Sequence, residues 1–499
     1  MKRFLIAFLA AVMLLGVFSS CGNGNKNKDE TSETAGGAET DPVENSRLQE
    51  LGTKNFSGTE FKILDANDYP SMHINYATEE TQYASSINEE LYGRDMYLIE
   101  CFQLADIVYT PADNAKAGCD TLRTQITAGT VEYDMVISTA VGSNDSTGST
   151  LAALAVQSML CDINSMDYLS LDKEWWSPLV YQNLLLNDRL FFTTGDIAPS
   201  VYQAPSAFFV NMNLLGSYFP DVDIFDLVDS YQWTFGKLEE LTKEQSDDVN
   251  EDGVMTANDD FFGVVLQKNK LTLENFVYAS GLTLVKKTEE GLKDNYASQL
   301  LDDLLTDIAN LYPNSFTYGG TGTASERQQY VITKAFMGNK AIFLGHELES
   351  AMSHLRSMES DYAIIPYPMK DESQEAYYSL INNWTDCFVA VPARVDESRL
   401  DMISFMMEAM AAYSHKNLRP LVYETVLKTQ RAKDPDSSRM VDVILDGICI
   451  DFATVYDIGG IGSMLQNATF DSSSLPGQRL GNINLINSDI KDIIEAHSK

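Results

Sequence analysis

The clearest chemical pattern in this sequence is a run of oxygen-bearing side chains at residues 248–259, which reads DVNEDGVMTAND. Calcium-binding loops of this type place oxygen ligands at positions 1, 3, 5, 7, 9 and 12, with a glycine at position 6 for the tight turn. Gly253 stands at position 6, so the spacing predicts one structural calcium ion. The predicted ligands are Asp248, Asn250, Asp252, the carbonyl of Val254, Thr256 and Asp259.

Motifs typical of catalysis do not occur in the chain. It has no G-x-S-x-G nucleophile elbow, no phosphate-binding loop and no H-E-x-x-H zinc motif, and its five histidines are scattered. The five cysteines other than Cys21 have wide spacings and form no C-x-x-C pair, which argues against a zinc site or a disulfide framework. The sequence does not decide whether one or two disulfides form. These motifs therefore give no support to catalysis or to metal-dependent hydrolysis.

Polar side chains follow three predicted strands at the point where each strand ends. The strands are the apolar runs at residues 61–64, 134–137 and 341–344. In open parallel sheets, ligands bind outside the carboxyl ends of the strands. The rule predicts a ligand site close to these strand ends. It selects Asp65, Asn67 and Asp68 after the first strand, Ser138 and Thr139 after the second, and His346 and Glu347 after the third.

The elements that must position these residues alternate between strands and helices. Apolar residues recur at helical spacing from Ile87 to Phe102, and a second helix around Leu122 is expected to stop at Gly129. A strand at residues 387–391 and a Met-rich helix at 400–413 follow late in the chain. Strands separated by helices at this spacing indicate parallel βαβ units. We therefore predict an α/β fold with two lobes.

The N-terminus has the order of a secretory signal peptide, predicted at residues 1–20: two basic residues, an apolar run at residues 4–18, and a pair of serines. The run is shorter than the roughly 20 residues that a membrane span needs. Cys21 follows as in a bacterial lipobox, which predicts lipidation there and anchoring to the extracytoplasmic face of the cell membrane. A soluble secreted protein is the alternative. Residues 21–54 are predicted to be a flexible tether, because they hold few large apolar side chains.

Length and charge limit the number of hydrophobic cores and the partners of the remaining chain. A single hydrophobic core stops growing near roughly 250–300 residues, so residues 55–499 can form two cores. The formal net charge of −37 argues against nucleic acid as a partner, and against direct adsorption to anionic lipid.

The order of several further motifs resembles a known family. The motifs are LDKEWW at 171–176, NDRLFFTTGD at 187–196, FFVNMN at 208–213, WTFGKLEEL at 233–241 just before the calcium-type loop, DFFGVV at 260–265, and FMGNKAIF at 336–343. In this order they resemble the family 1 extracellular solute-binding proteins, the sugar-binding lipoproteins of bacterial ABC importers. The resemblance spans about residues 57–470.

The resemblance implies a two-lobed periplasmic-binding-protein-like fold of type II with a hinge between the lobes. The N-terminal lobe is predicted at residues 55–207 and 380–412, and the C-terminal lobe at 208–379 and 413–499. It also implies a monomer, without catalytic activity, that captures a carbohydrate between the lobes and delivers it to an ABC permease. An oligosaccharide is the expected solute.

Sugar recognition needs flat aromatic faces for the ring and convergent hydrogen-bonding groups for the hydroxyls. Within the resemblance, the residues expected to contact the sugar are Trp384, Asn383, Asp386, Trp176, Asp196 and Tyr202, together with the strand-end residues Asp65, Thr139, His346 and Glu347.

Other functions stay open at this point. The main alternative is a surface glycan-adhesion lipoprotein that holds polysaccharide without a dedicated importer. A secreted carbohydrate-active enzyme is the third reading, and within the importer reading a peptide could replace the sugar.

Overall fold

The computed structural model describes residues 46–68, 74–141, 148–267, 270–311, 315–316, 329–382, 385–428, 435–470 and 472–499. The predicted signal peptide, the lipidation site Cys21 and the predicted ligand residues Asn383 and Trp384 lie outside these ranges. None of the helices within them combines the length and apolar character that a membrane span requires.

The first lobe is built on a five-stranded sheet. Its strands are β1 (Glu60–Ala66), β2 (Asp106–Pro111), β3 (Met135–Thr139), β4 (Phe192–Thr193) and β13 (Cys387–Ala390), in the order β2-β1-β3-β13-β4. β1 pairs in parallel with both β2 and β3, whereas β13 runs antiparallel to β3 and β4. Helices α2 (Ser86–Phe102) and α3 (Ala115–Ala128) connect the parallel strands, and α3 ends at Gly129 with a φ of 70°. The predicted parallel βαβ unit is therefore confirmed.

The second lobe is built on another five-stranded sheet, in the order β11-β5-β10-β6-β9. β10 runs parallel to β6, while β5 runs antiparallel to both β10 and β11. The strands are β5 (Ser206–Asn211), β6 (Phe262–Val265), β9 (Ser315–Phe316), β10 (Ala341–Glu347) and β11 (Tyr362–Ile365). Residues 341–346 are buried, as expected for a strand covered on both faces.

Helices pack around both sheets and extend to the C-terminus. A short hairpin, β7 (Val285–Thr288) and β8 (Gly291–Asp294), accompanies the second lobe, and a π-helix covers Gln329–Phe336. The other helices are α1 (Ser46–Leu51), α4 (Leu151–Val156), α5 (Pro178–Leu184), α6 (Met212–Tyr218), α7 (Ile224–Asp229), α8 (Phe235–Thr242), α9 (Lys270–Ala279), α10 (Gln299–Leu311), α11 (Glu349–Met352), α12 (Leu400–Lys428), α13 (Pro435–Asp446), α14 (Phe452–Val455), α15 (Ile461–Phe470) and α16 (Leu475–Ala496).

Three paired segments join the two lobes, and we call them the hinge ladder. β12 (Ser379–Leu380) pairs in parallel with β14 (Ile448–Cys449), and Pro205 forms an antiparallel bridge with Ile381. The Asn382 amide donates to the Ala204 carbonyl at 3.1 Å. The ladder lies where the chain passes between the sheets, at residues 204–205 and 379–382. The predicted lobe borders stay a prediction, and α16, assigned to the C-terminal lobe, contacts both α4 and β8.

The body begins before the predicted end of the tether at residue 54, because α1 covers Ser46–Leu51. Arg47 donates from Nε to Glu408 Oε1 at 2.9 Å and from Nη2 to Ser170 Oγ at 2.8 Å. Glu408 is fully buried, and its Oε2 also accepts from Trp176 Nε1 at 2.9 Å. Glu408 therefore fixes α1 and Trp176 to the long helix α12.

A buried carboxylate ties the C-terminal helices to the second lobe. Asp451 accepts hydrogen bonds from the Tyr278 hydroxyl at 2.5 Å and from the backbone amides of Leu284 at 2.6 Å and Val285 at 3.1 Å. The same side chain caps α14 by accepting from the Ala453 amide at 2.9 Å. Asp451 thus joins three separate stretches of the chain.

All five described cysteines are free thiols. Cys119, Cys387 and Cys449 are buried, Cys161 is half-buried and Cys101 is exposed. None of these five residues therefore forms a disulfide with another.

Candidate functional site

The polar strand ends of the first lobe meet at one edge of its sheet. Asp65 lies at the carboxyl end of β1, Thr139 ends β3, and Asp386 directly precedes β13, which enters from the same edge because Cys387 pairs with Thr139. Asn75 donates from Nδ2 to Asp65 Oδ1 at 2.7 Å. Ser200 donates to Asp386 Oδ1 at 2.8 Å. Three residues predicted separately from the sequence therefore share one cluster.

The corresponding edge of the second sheet carries His346 and Glu347. Glu347 pairs with Ser206 at the start of β5, and its Oε1 accepts from Asn382 Nδ2 at 2.7 Å. The Asp386 amide donates to the Asn382 carbonyl at 2.7 Å, so Asn382 connects this edge with the first lobe. We call the two connected edges the interlobe site, defined by Asp65, Asn75, Thr139, Ser200, Ser206, His346, Glu347, Glu349, Asn382 and Asp386.

His346 is held in place by both of its ring nitrogens. Nε2 lies 3.0 Å from Gln267 Nε2, and Nδ1 lies 2.8 Å from Ser350 Oγ. Because an amide nitrogen only donates, Nε2 acts as an acceptor and Nδ1 carries the proton. Burial lowers the pKa of His346 to about 4, so the ring is neutral near pH 7. His346 therefore orients this edge of the site and has no spare nitrogen for a ligand.

Several polar atoms of the interlobe site are buried without a hydrogen-bond partner among the described residues. They are Asn75 Oδ1, Thr139 Oγ1, Ser206 Oγ, Glu349 Oε2 and Asp386 Oδ2. Buried polar atoms in folded proteins nearly always have a partner, either in the protein or in bound water or ligand. Their concentration at these two sheet edges marks the place where the described residues leave hydrogen-bonding groups available.

Burial also makes the carboxyl groups of this site unusually weak acids. Desolvation raises the pKa of Asp386 to about 7, against the lowering effect of the Ser200 hydrogen bond. Desolvation likewise raises the pKa of Asp65 to about 6 and the pKa of Glu347. Asp386 can therefore donate as well as accept hydrogen bonds near neutral pH, which suits a ligand with hydroxyl groups.

Trp176, Asp196 and Tyr202 do not belong to the interlobe site. They line a separate cavity of about 240 Å³, whose other walls include Arg419, Leu445 and Ile448 of the C-terminal segment. None of Asp65, Thr139, His346, Glu347 and Asp386 lines it. We call it the hinge-side cavity, because Ile448 belongs to the hinge ladder. The sequence alone predicts a single ligand site for all these residues.

Charged side chains of both signs surround the hinge-side cavity. Asp196 Oδ2 lies 2.5 Å from His415 Nδ1, and His415 Nε2 lies 3.4 Å from Glu174 Oε1. Arg419 donates from Nε to the Tyr423 hydroxyl at 2.8 Å. Gly195 makes the geometry possible, since a Cβ there would lie only 2.5 Å from the Trp175 carbonyl oxygen.

Sequence reasoning missed several of these residues. Ser206, Glu349 and Asn75 carry no local signal, because only the tertiary fold brings them to the strand ends. His415 and Arg419 could have been found from the sequence, because two basic residues four positions apart lie on one face of a helix. That spacing would have directed attention to the second half of α12.

In the calcium-type loop, the first predicted ligand, Asp248, is placed as a calcium site requires, whereas the last one, Asp259, is not. Asp248 Oδ2 accepts from the Gly253 amide at 2.8 Å, and its Oδ1 is buried without a partner in the described chain. Asp259 is exposed, whereas the buried Asp260 accepts from the amides of Val249 at 3.0 Å and Thr256 at 2.5 Å. Across the residues that the structure describes, no three His, Cys, Asp or Glu side chains are grouped closely enough to hold a metal ion. The three loop aspartates are therefore not gathered around one point.

Comparison with protein-family models gave no match, and comparison with curated protein sequences gave none either. Solved structures do match. A cyclic α-maltosyl-1,6-maltose binding protein from Arthrobacter globiformis superposes with a TM-score of 0.57 at 10% identity, covering 87% of this chain and 100% of that one. UgpB from Mycobacterium tuberculosis, in complex with glycerophosphocholine, gives a TM-score of 0.51 at 13% identity, covering 85% of this chain and 98% of that one. The chain therefore has the two-lobed α/β fold of the type II extracellular solute-binding proteins, which is the fold that the sequence resemblance predicted.

Proposed function

We propose that this protein is the substrate-binding lipoprotein of an ABC importer and captures an oligosaccharide at the interlobe site. The observation that carries the proposal is the set of buried, unpartnered polar atoms at the facing edges of the two sheets. A carbohydrate has the hydroxyl groups that would satisfy these atoms, as donors and as acceptors. The cyclic sugar named for the Arthrobacter protein of the same fold supports this solute class.

The other parts of the proposal rest on the sequence. They are lipidation at Cys21, anchoring on the extracytoplasmic face of the membrane, action as a monomer, and delivery of the solute to a permease. A binding role needs no catalytic group, which agrees with the lack of catalytic motifs in the sequence.

Thr139→Val tests the interlobe site directly. The substitution removes a buried hydroxyl that has no partner in the described residues, so the free protein should not be destabilised. A bound sugar would lose one hydrogen bond, which we expect to raise its dissociation constant about fivefold to tenfold. A thermal-shift screen of the full chain against monosaccharide, oligosaccharide and peptide panels identifies the solute, and calorimetry then compares the variant with the wild type.

Thr242→Val is the matched control. Thr242 is equally buried but lies in α8, where its hydroxyl donates to the Leu238 carbonyl at 2.7 Å. It should leave affinity unchanged. A ligand at 100 times its dissociation constant adds about 2.7 kcal/mol to stability, so binding is readily detected. Equal affinity in wild type and Thr139→Val would contradict the site. Retention on insoluble polysaccharide, with no response to any short sugar, would favour the glycan-adhesion alternative.

We also propose that residues 248–259 bind one structural calcium ion, with Asp248 as the central ligand. Supporting this, Asp248 Oδ1 is buried and free of partners in the described chain. Calcium should raise the unfolding temperature of the wild type, and chelation should reverse the rise. Asp248→Asn should abolish the response, whereas the control Glu251→Gln, at an exposed non-ligand position, should keep it. An unfolding temperature that calcium does not change would exclude the ion.

A further inference from the structure

The hinge-side cavity and the interlobe site lie on different sides of the same short turn. Ser200 and Tyr202 both belong to the 3-10 turn Pro199–Tyr202. Ser200 donates to Asp386 in the interlobe site, whereas Tyr202 lines the hinge-side cavity. A molecule in one of the two places therefore contacts a different set of side chains from a molecule in the other.

The Tyr202 hydroxyl points to a missing partner in this cavity. Tyr202 is 1% exposed, and its hydroxyl has no hydrogen-bond partner within the described residues. Asp196 lies close enough for its carboxylate to act on this hydroxyl. Burial and the charge of Asp196 together raise the pKa of Tyr202 well above its usual value, so the hydroxyl keeps its proton and can donate.

The remaining walls offer both apolar surface and charge. Trp176 is fully buried and its indole N–H donates to Glu408, so it closes one wall of the cavity and offers no free polar group. Within the described part of the chain, Arg419 donates to the Tyr423 hydroxyl and to Asp446 at 3.4 Å, which occupies two of its five N–H groups. Asp196 supplies carboxylate oxygen. The cavity therefore presents hydrogen-bond donors and an acceptor together.

The volume and the balance of charge limit the ligand. A volume of about 240 Å³ corresponds to about eight water molecules and lies just below the roughly 300–1,000 Å³ of pockets for drug-sized ligands. A free anion would meet Asp196 and Glu174, and a free cation would meet Arg419. A neutral molecule with several hydroxyl groups meets no opposing charge and can both donate to Asp196 and accept from Arg419.

We propose that the hinge-side cavity is a second binding site, which takes one neutral polyhydroxyl molecule of monosaccharide size. This goes beyond the proposed capture of an oligosaccharide at the interlobe site. The walls come from the first lobe through Trp176 and Asp196, and from the C-terminal segment and hinge ladder through Arg419 and Ile448. A molecule bound there holds these parts together beside the hinge.

The substitution Tyr202→Phe tests the hinge-side cavity, and Thr139→Val, in the interlobe site, is the matched control. Each substitution removes one buried hydroxyl that has no partner in the described chain, so each variant should fold like the wild type. Titration calorimetry of the full chain uses D-glucose, D-galactose and D-mannitol as probes. We expect at least one probe to bind the wild type, and Tyr202→Phe to weaken it about fivefold to tenfold while Thr139→Val leaves it unchanged.

The opposite pattern is expected for the oligosaccharide found in the interlobe screen, which should depend on Thr139 and not on Tyr202. If Thr139→Val weakens the monosaccharide as much as Tyr202→Phe does, the two share one site and the proposal is overturned. If none of the three probes binds while the oligosaccharide does, the second site is rejected and the interlobe function stands. If the wild type binds none of these sugars, both the second site and the interlobe function are rejected.

Discussion

Replacing Asp451 with alanine is expected to lower the free energy of unfolding by about 3 to 5 kcal/mol. The substitution leaves the Tyr278 hydroxyl and the amides of Leu284, Val285 and Ala453 buried without their shared acceptor. It also removes the N-terminal cap of α14. The effect should appear in urea unfolding of the full chain, followed by circular dichroism, as a lower midpoint.

Tyr278→Phe separates the parts of this effect. It removes one donor and leaves the carboxylate with its backbone partners, so we expect a loss of only about 1 kcal/mol. Asp451→Asn should fall between the two, because the amide retains one oxygen acceptor but places an NH₂ group against backbone donors. If Asp451→Ala costs no more than Tyr278→Phe, Asp451 does not join these segments as described.

The second large effect is expected for Glu408→Ala, at about 3 to 4 kcal/mol. Without the carboxylate, Trp176 Nε1 is left buried and unpaired, and Arg47 loses a partner at 2.9 Å. The first lobe should be destabilised and α1 released together. Urea unfolding measures the first change, and limited proteolysis at residues 46–51 measures the second.

The control is Glu50→Ala. Glu50 also pairs with Arg47, at 3.3 Å, but its side chain is 68% exposed. An exposed pair of this kind contributes about 0 to 1 kcal/mol, so both readouts should stay close to wild type. Equal proteolysis of the two variants would show that Glu408 does not hold α1.

Much of the fold could be predicted from local patterns. The periodic apolar residues between Ile87 and Phe102 predicted α2. Thr234 caps α8 by accepting from the Lys237 amide at 3.2 Å, as a threonine directly before a helix commonly does. These features depend on neighbours three or four residues away. Side-chain spacing and capping chemistry therefore suffice to find them.

Features that depend on distant residues were missed. α1 is too short to form alone and is held by Arg47 on Glu408, 361 positions later. The Met-rich helix was predicted to end at residue 413, but α12 continues to Lys428 with Pro420 inside it. Leu418 and Val422 are buried beside this proline, so packing outweighs the local tendency of proline to end a helix. The division of the predicted sugar residues between two places has the same origin, since it follows from where residues 415–428 and 435–448 pack.

The attachment of α1 has a mechanical consequence. Any pull along the N-terminal segment enters the described body at α1, and the Arg47–Glu408 pair passes it to α12. α12 packs against α2 of the first lobe and also contacts α11 and α13. A pull on α1 is therefore spread over helices on several sides of α12 and is not concentrated on the hinge ladder.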